Sequence, residues 1–164
     1  MRILACILVL ITLLVGAFVG YCYYGAKMEI EGVAATLTPA VEAVGTYDSV
    51  RNQLANGSFL GTKYYDTEFL MPESFAFLTL TVRMSNRGIL PMDWIQIEVK
   101  PNLADALQLP AERTPSLAGN SRADFSTVIL TRTGVDTARK VTVKYYVLGQ
   151  QFSVTFDMEN GKME

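Results

Sequence analysis

The 164-residue chain contains no histidine. Imidazole is the base of Ser-His-Asp and Cys-His catalysis, a common metal ligand and the side chain that titrates near neutrality. All of these are excluded, and an enzyme built on this chain has only carboxylates or a Ser-Lys pair to work with. Cysteine is nearly as scarce. Cys6 and Cys22 both fall in the first 25 residues, so the rest of the chain has neither a disulfide nor a thiol nucleophile. A disulfide-free outer domain favours a bacterial or archaeal source over an animal cell surface. An excess of positive charge is missing too. Lys and Arg total 14 against 16 for Asp and Glu, which leaves no basic field to hold nucleic acid.

Charge is absent altogether from Ile3 to Ala26. As a helix these 24 residues run roughly 36 Å, enough to cross a bilayer core of about 30 Å with some tilt. A secretion signal has an apolar stretch of only about 7 to 15 residues and small residues one and three positions before the cut. "YYGA" ends in Ala26 but puts Tyr24 at the farther position, and "VAA" at Val33–Ala35 lies well past the apolar run. Tyr21 precedes Cys22, where a lipoprotein signal needs a small residue. The expectation is an uncleaved transmembrane anchor over residues 1–27, with a cleaved signal and a released soluble domain as the alternative. Arg2 on one side and Lys27 on the other leave the positive-inside rule nearly tied. A short N-terminal tail makes N-terminus cytoplasmic, C-terminal domain extracytoplasmic the simpler topology. Tyr21, Tyr23 and Tyr24 then sit in the outer interfacial belt. Thr12, Gly16 and Gly20 share one helix face at the spacing that lets two membrane helices approach, so a homodimer through this helix is a candidate.

From Met28 onward 137 residues remain, enough for one domain with a core. "VAATLTPAVEA" alternates and reads as an edge or broken strand limited by Pro39, with a helix starting at Pro39 as the alternative. "TYDSVRNQLANG" reads as a short helix near 46–56 that stops at Asn56-Gly57. Asn56-Gly57-Ser58 also fits an N-glycosylation acceptor. "FLGTKYYDTEF" reads as a strand on its aromatic content. In "FAFLTLTVRMS" residues Ala76, Leu78, Leu80, Val82 and Met84 face one way, and "DWIQIEVK" points Ile95, Ile97 and Val99 inward. Residues 101–120 hold three prolines and are mostly connection, with one short strand around Leu107–Leu109. "RADFSTVILTR" alternates imperfectly, which suggests a bulge. "KVTVKYYVL" and "QFSVTFDM" read as a hairpin broken at Gly149-Gln150.

About seven alternating strands, apolar on one face, predict a mainly β chain: an immunoglobulin-like antiparallel sandwich preceded by the apolar helix and the short helix. The expected division is an anchor at 1–27, a juxtamembrane segment at 28–58 and the sandwich at 59–164. The succession "LTLTVRMSNRGILPMDWIQIEV", "SLAGNSRADF" and "VTVKYYVLG" resembles bacterial and archaeal cell-surface sandwich domains, among them CARDB-like adhesion modules and LEA14-like domains. In these a strand ends in Asn-x-Gly, a second strand follows and a Gly-containing turn leads on. The resemblance spans roughly residues 75 to 158 and implies a binding or structural module, with no catalytic residue to carry over.

Candidate sites are few. Trp94, the one tryptophan, falls on the polar face of its strand, where it either stacks on a partner or caps the core. Tyr146 lies on a polar face, as do Phe75 and Phe77. These aromatics make an exposed contact patch unless the short helix covers them. Asp66, Glu68 and Glu73 supply carboxylates for a hard cation but lack an EF-hand spacing, so a solvated acidic loop is the simpler reading. No cofactor, metal or nucleic acid is expected. The functional expectation is a module that acts by contact with a protein or glycan partner, as part of a cell-envelope assembly. A carboxylate-dependent hydrolase is the alternative from another class.

Overall fold

The computed structural model describes residues 2–25, 27–65, 68, 71–111, 115–159 and 162–163. The apolar start forms one helix, α1 (Arg2–Gly25). Its stretch Ile3–Tyr21 is long and apolar enough to cross a membrane, and none of it is buried against the rest of the chain. A core helix of a soluble protein would be packed away. This one leaves its apolar surface uncovered.

α1 ends at Gly25 and β1 (Met28–Pro39) begins at Met28. β1 pairs antiparallel with β3 (Phe75–Asn86) from Met28↔Asn86 to Pro39↔Ala76. It is an edge strand, as expected, and Pro39 sits at its end, where a missing N–H costs no ladder bond. The pairing slips once between Ile30 and Gly32, a bulge. Residues 28–58, set apart above as a juxtamembrane segment, thus supply a full strand of the first sheet. The order of that sheet is β1-β3-β6-β5-β2, with β2 (Thr62–Lys63), β5 (Asp105–Gln108) and β6 (Ser121–Arg132). The second sheet runs β4-β7-β8-β9, with β4 (Asp93–Val99), β7 (Arg139–Val147), β8 (Gln150–Glu159) and β9 (Lys162–Met163). All of these pairings are antiparallel. The fold is an antiparallel sandwich of immunoglobulin-like architecture.

The core lies between the sheets. Leu78, Leu80, Val82 and Met84 of β3 meet Val141, Val143, Tyr145 and Val147 of β7, with Ile95, Ile129, Phe156 and Met158. These are the alternate residues of each strand, so period-two patterning places them together. The outer face of the second sheet carries Glu98, Thr142, Lys144 and Thr155, which pair among themselves. Lys144 Nζ lies 2.6 Å from Glu98, and the two threonine hydroxyls are 3.0 Å apart.

The first sheet is apolar on both faces at its far end from α1. Helix α2 (Val44–Ala55) lays Tyr47 and Val50 on Phe75, Phe77, Leu107 and Leu130. Its end follows the Asn-Gly signal. Ser58 N donates to Gln53 O at 2.8 Å and Gly57 N to Leu54 O at 3.2 Å, with Gly57 at φ +66°. This is a Schellman stop, which needs the left-handed residue that glycine supplies without strain. Double-sided burial also explains the imperfect alternation of β6. Ile129 packs between the sheets and its neighbour Leu130 packs under α2. β6 pairs with β3 without a slip, and the bulge expected on β6 lies instead on β5, between Asp105 and Leu107.

Of the strand expected over 59–69, the described residues form only Thr62–Lys63. Tyr64 turns away to close the gap between sheets: its hydroxyl lies 2.6 Å from Gln108 Oε1 and 3.2 Å from Val99 O. Gln108 Nε2 donates to Ile97 O and Thr127 Oγ1, both at 2.7 Å. Burial pushes the Tyr64 hydroxyl's pKa up. Aromatic β-propensity was the wrong guide here because the tyrosine bridges two sheets rather than extending one.

One buried ion pair staples the sheets. Arg139 Nε and Nη2 donate to the two Asp105 oxygens at 2.8 and 2.7 Å, with both side chains essentially inaccessible. Arg139 Nη1 reaches the carbonyls of Asp136 and Ala138, and Asn102 N donates to Asp105 Oδ2, each at 2.7 Å. With these polar groups satisfied, the pair tolerates its burial.

Candidate functional site

The most unusual chemistry gathers at the end of the sandwich where α1 joins. Asn86 ends β3 there and is itself buried. Its Nδ2 lies 2.8 Å from Leu90 O, 3.1 Å from Ala118 O and 3.3 Å from Leu117 O, and its Oδ1 accepts from Gly88 N at 2.9 Å. The Asn-x-Gly motif is therefore a knot that ties the β3–β4 loop to the loop before β6. Gly88 is required by close approach: a Cβ there would stand 2.9 Å from Gly25 O at the end of α1. Met28 N donates to the Tyr145 hydroxyl at 3.1 Å, which ties the start of β1 to the core of the second sheet. Between helix and sandwich lies a cleft of about 450 Å³ lined by Tyr21, Tyr24, Ile89 and Val147 among others. Arg87 pairs with Glu29 and Arg122 with Glu31 at this end.

Trp94 sits beside this knot and is 62% exposed. It does not cap the core. Asp93 pairs with Tyr146 and Gln96 with Lys144, so Trp94 and Ile95 together oppose Tyr145 in a bulge. Trp94 takes φ +54°, the left-handed conformation that this kind of bulge gives to glycine. A bulky residue there costs about 1–3 kcal/mol and persists only if its surroundings enforce it. They do: Met92 and Leu117 exchange backbone bonds of 2.9 and 2.8 Å, and Ile95 N donates to Pro115 O at 3.0 Å.

A second such residue is Leu148. The β7–β8 hairpin closes on Val147↔Gln150, so its turn is Leu148-Gly149, one residue earlier than the break read from the sequence. Both turn residues have positive φ, +50° and +78°. That is the two-residue turn in which Asn-Gly is favoured, and leucine in its first position is costly. Leu148 is 77% exposed, and Ile89 in the β3–β4 loop is 53% exposed. Asn120, the remaining non-glycine residue with positive φ among those described, is of a type that tolerates it. Sequence reasoning missed Ile89 and Leu148. The signal for Leu148 was present, since a two-residue turn centred on Gly149 requires its predecessor in the left-handed region.

The three aromatics considered for a contact patch, Tyr146, Phe75 and Phe77, do not meet. Phe75 and Phe77 are 4% and 5% exposed, roofed by α2: of the two alternatives, the short helix covers them and the exposed patch is ruled out for this pair. Trp94 and Tyr146 lie on the other sheet and the other end. Tyr146 is half-buried, and its hydroxyl donates to Gln151 Oε1 at 3.1 Å. In α1, Thr12 Oγ1 donates to Leu8 O at 2.9 Å, so its hydroxyl is satisfied within the helix. Gly16 and Gly20 have no heavy atom within 4 Å of where a Cβ would stand. Asp66 lies outside the described residues, as does the trio it would complete with Glu68 and Glu73. Among the described residues no three His, Cys, Asp or Glu side chains converge to hold a metal. Asn56-Gly57-Ser58 is the stop of α2.

No family model matches the chain, and no curated protein matches it in sequence. Among solved structures, the crystal structure of the yeast GGA1 GAE domain is similar over 60% of this chain and 86% of its own, at 14% identity and a TM-score of 0.40. The GAE domain of GGA2p from Saccharomyces cerevisiae is similar over 60% of this chain and 96% of its own, at 14% identity and a TM-score of 0.36.

Proposed function

We propose that this chain is a single-pass membrane protein that presents its sandwich outside the cytoplasm and acts by contact with a protein or glycan partner. The observation that carries the reading is α1: a 19-residue apolar span, none of it buried, joined by two residues to a fully formed β domain. Tyr24 at the position where signal cleavage needs a small residue supports an anchor over a removed leader. The partner surface is the end of the sandwich remote from α1. There Met71 and Leu103 are 65% and 88% exposed beside the β6 terminus, where Arg132 N bonds Ala104 O and Thr133 N bonds Ser74 O. The polar outer face of the second sheet pairs its own charges and offers less to a partner.

The test has two parts. Alkaline carbonate extraction of membranes should leave the full-length chain in the pellet, with an intact mass that retains residues 1–27. Recovery in the soluble fraction as a chain starting near residue 27 or 36 would sink the anchor. A photo-crosslinking residue at Leu103 should then trap a specific adduct in cells, while the same residue at Thr155 should not. Equal adducts at both positions would reject the remote end as the contact surface.

A further inference from the structure

We infer that the helix-proximal rim formed by Ile89, Trp94 and Leu148 inserts into the interfacial layer of the same phospholipid bilayer that α1 crosses, seating the sandwich on the membrane in one fixed orientation. The inference rests on the anchored reading of α1.

Single exposed apolar residues are ordinary on any surface. Here three large ones come from three separate segments, the β3–β4 loop, the β4 bulge and the β7–β8 turn, and all stand at the end where α1 leaves. Ile89 lines the cleft with Tyr21 and Tyr24, next to Gly88, which abuts Gly25 of the helix. Leu148 directly follows Val147, which lines the same cleft. Trp94 opposes Tyr145, whose hydroxyl accepts from Met28 N three residues past the helix.

Two of the three, Trp94 and Leu148, hold left-handed backbone that glycine or asparagine would adopt without strain. An apolar side chain kept at such a position against its own backbone preference is unexplained by folding, because neither residue is buried. It is explained by an environment outside the chain. Trp at a lipid–water boundary is favoured because its ring is apolar and its N–H still reaches headgroups or water. The connection to α1 supplies that environment within two residues. Arg87 and Arg122 pair with Glu29 and Glu31, and the exposed Lys27 and Asp93 at this end are of opposite sign, so no excess of one charge draws the rim to the membrane or repels it. The driving force is therefore apolar, and neutral lipid suffices.

Trp94 is the only tryptophan, so its emission reports on the rim without a label. The full chain is reconstituted in phosphatidylcholine vesicles, with bromine placed either high or deep on the acyl chains. Flotation with the vesicles establishes anchoring independently of the fluorescence. The expected result is a blue-shifted emission that loses about half its intensity to the shallow bromines and less to the deep ones, as for a ring at headgroup level. A chain that floats with the vesicles but keeps its full emission overturns the rim and leaves the anchor standing. A chain that does not float overturns the anchor and the rim together. An Ile89→Ser/Leu148→Asn variant keeps the probe and suits the turn, so it folds. Its quenching should fall at least about twofold, because the apolar area that holds the rim down is reduced. Unchanged quenching in that variant rejects the three residues as one inserted rim.

Discussion

Asp105 and Arg139 are 34 residues apart and unremarkable in sequence, yet they meet as a bidentate pair sealed between the sheets. Removing either partner strands a buried charge. Asp105→Ala or Arg139→Met should each lower unfolding free energy by about 3–5 kcal/mol in urea titration, while Asp105→Leu with Arg139→Met should recover most of that loss. Leu148 makes the opposite case. In the first position of its turn, asparagine relieves backbone strain and removes an exposed apolar side chain. Leu148→Asn should therefore raise stability by about 1 kcal/mol, read as a higher calorimetric Tm. A lower Tm would mean that Leu148 packs on something within the chain. The inward and outward residues of β3, β4 and β7 were legible from period two alone. The ion pair was not, because nothing local in a sequence marks which two of many charges will face each other.

At the scale of elements, α2 decides what the aromatics of β3 are for. Alternation correctly put Phe75 and Phe77 on the face away from the inter-sheet core. It could not say whether that face was wet, and α2 makes it dry. Phe77→Ala should cost about 3–5 kcal/mol by chemical denaturation, the cost of a cavity under the helix. A cost below 1 kcal/mol would restore Phe77 to the exposed surface. The same double burial hid the true shape of β6, whose Ile129-Leu130 run looked like a fault in alternation and is a strand packed on both sides. Tyr47 of α2 packs on Phe75 with ring centroids 5.8 Å apart, and its hydroxyl is buried with no hydrogen-bond partner among the described residues. That deficit, about 1–3 kcal/mol for a hydroxyl out of water, is offset by the ring's packing. The stop at Asn56-Gly57 was legible because a Schellman motif is local chemistry.

For the whole molecule, the two ends of the sandwich differ in what they can meet. The end at α1 is fixed by a two-residue connection, a hydrogen bond from Met28 to Tyr145 and the Asn86 knot, so it faces whatever α1 enters. The remote end, with Met71 and Leu103, is the one proposed above to meet a partner. Membrane retention, the Leu103 adduct and the Trp94 quenching test these assignments separately. The sequence by itself determined the uncharged run Ile3–Ala26 and its helical length, the absence of imidazole and disulfide chemistry, and the alternation that packs two sheets face to face. These depend on composition and on periods of two or 3.6 residues, which act between near neighbours. Only the tertiary structure decided that β1 belongs to the first sheet, that Phe75 and Phe77 are covered, and that Ile89, Trp94 and Leu148 share one end. Those facts come from strand pairing and loop closure across tens of residues, where the contact is fixed by the packing of the whole chain and leaves no local pattern.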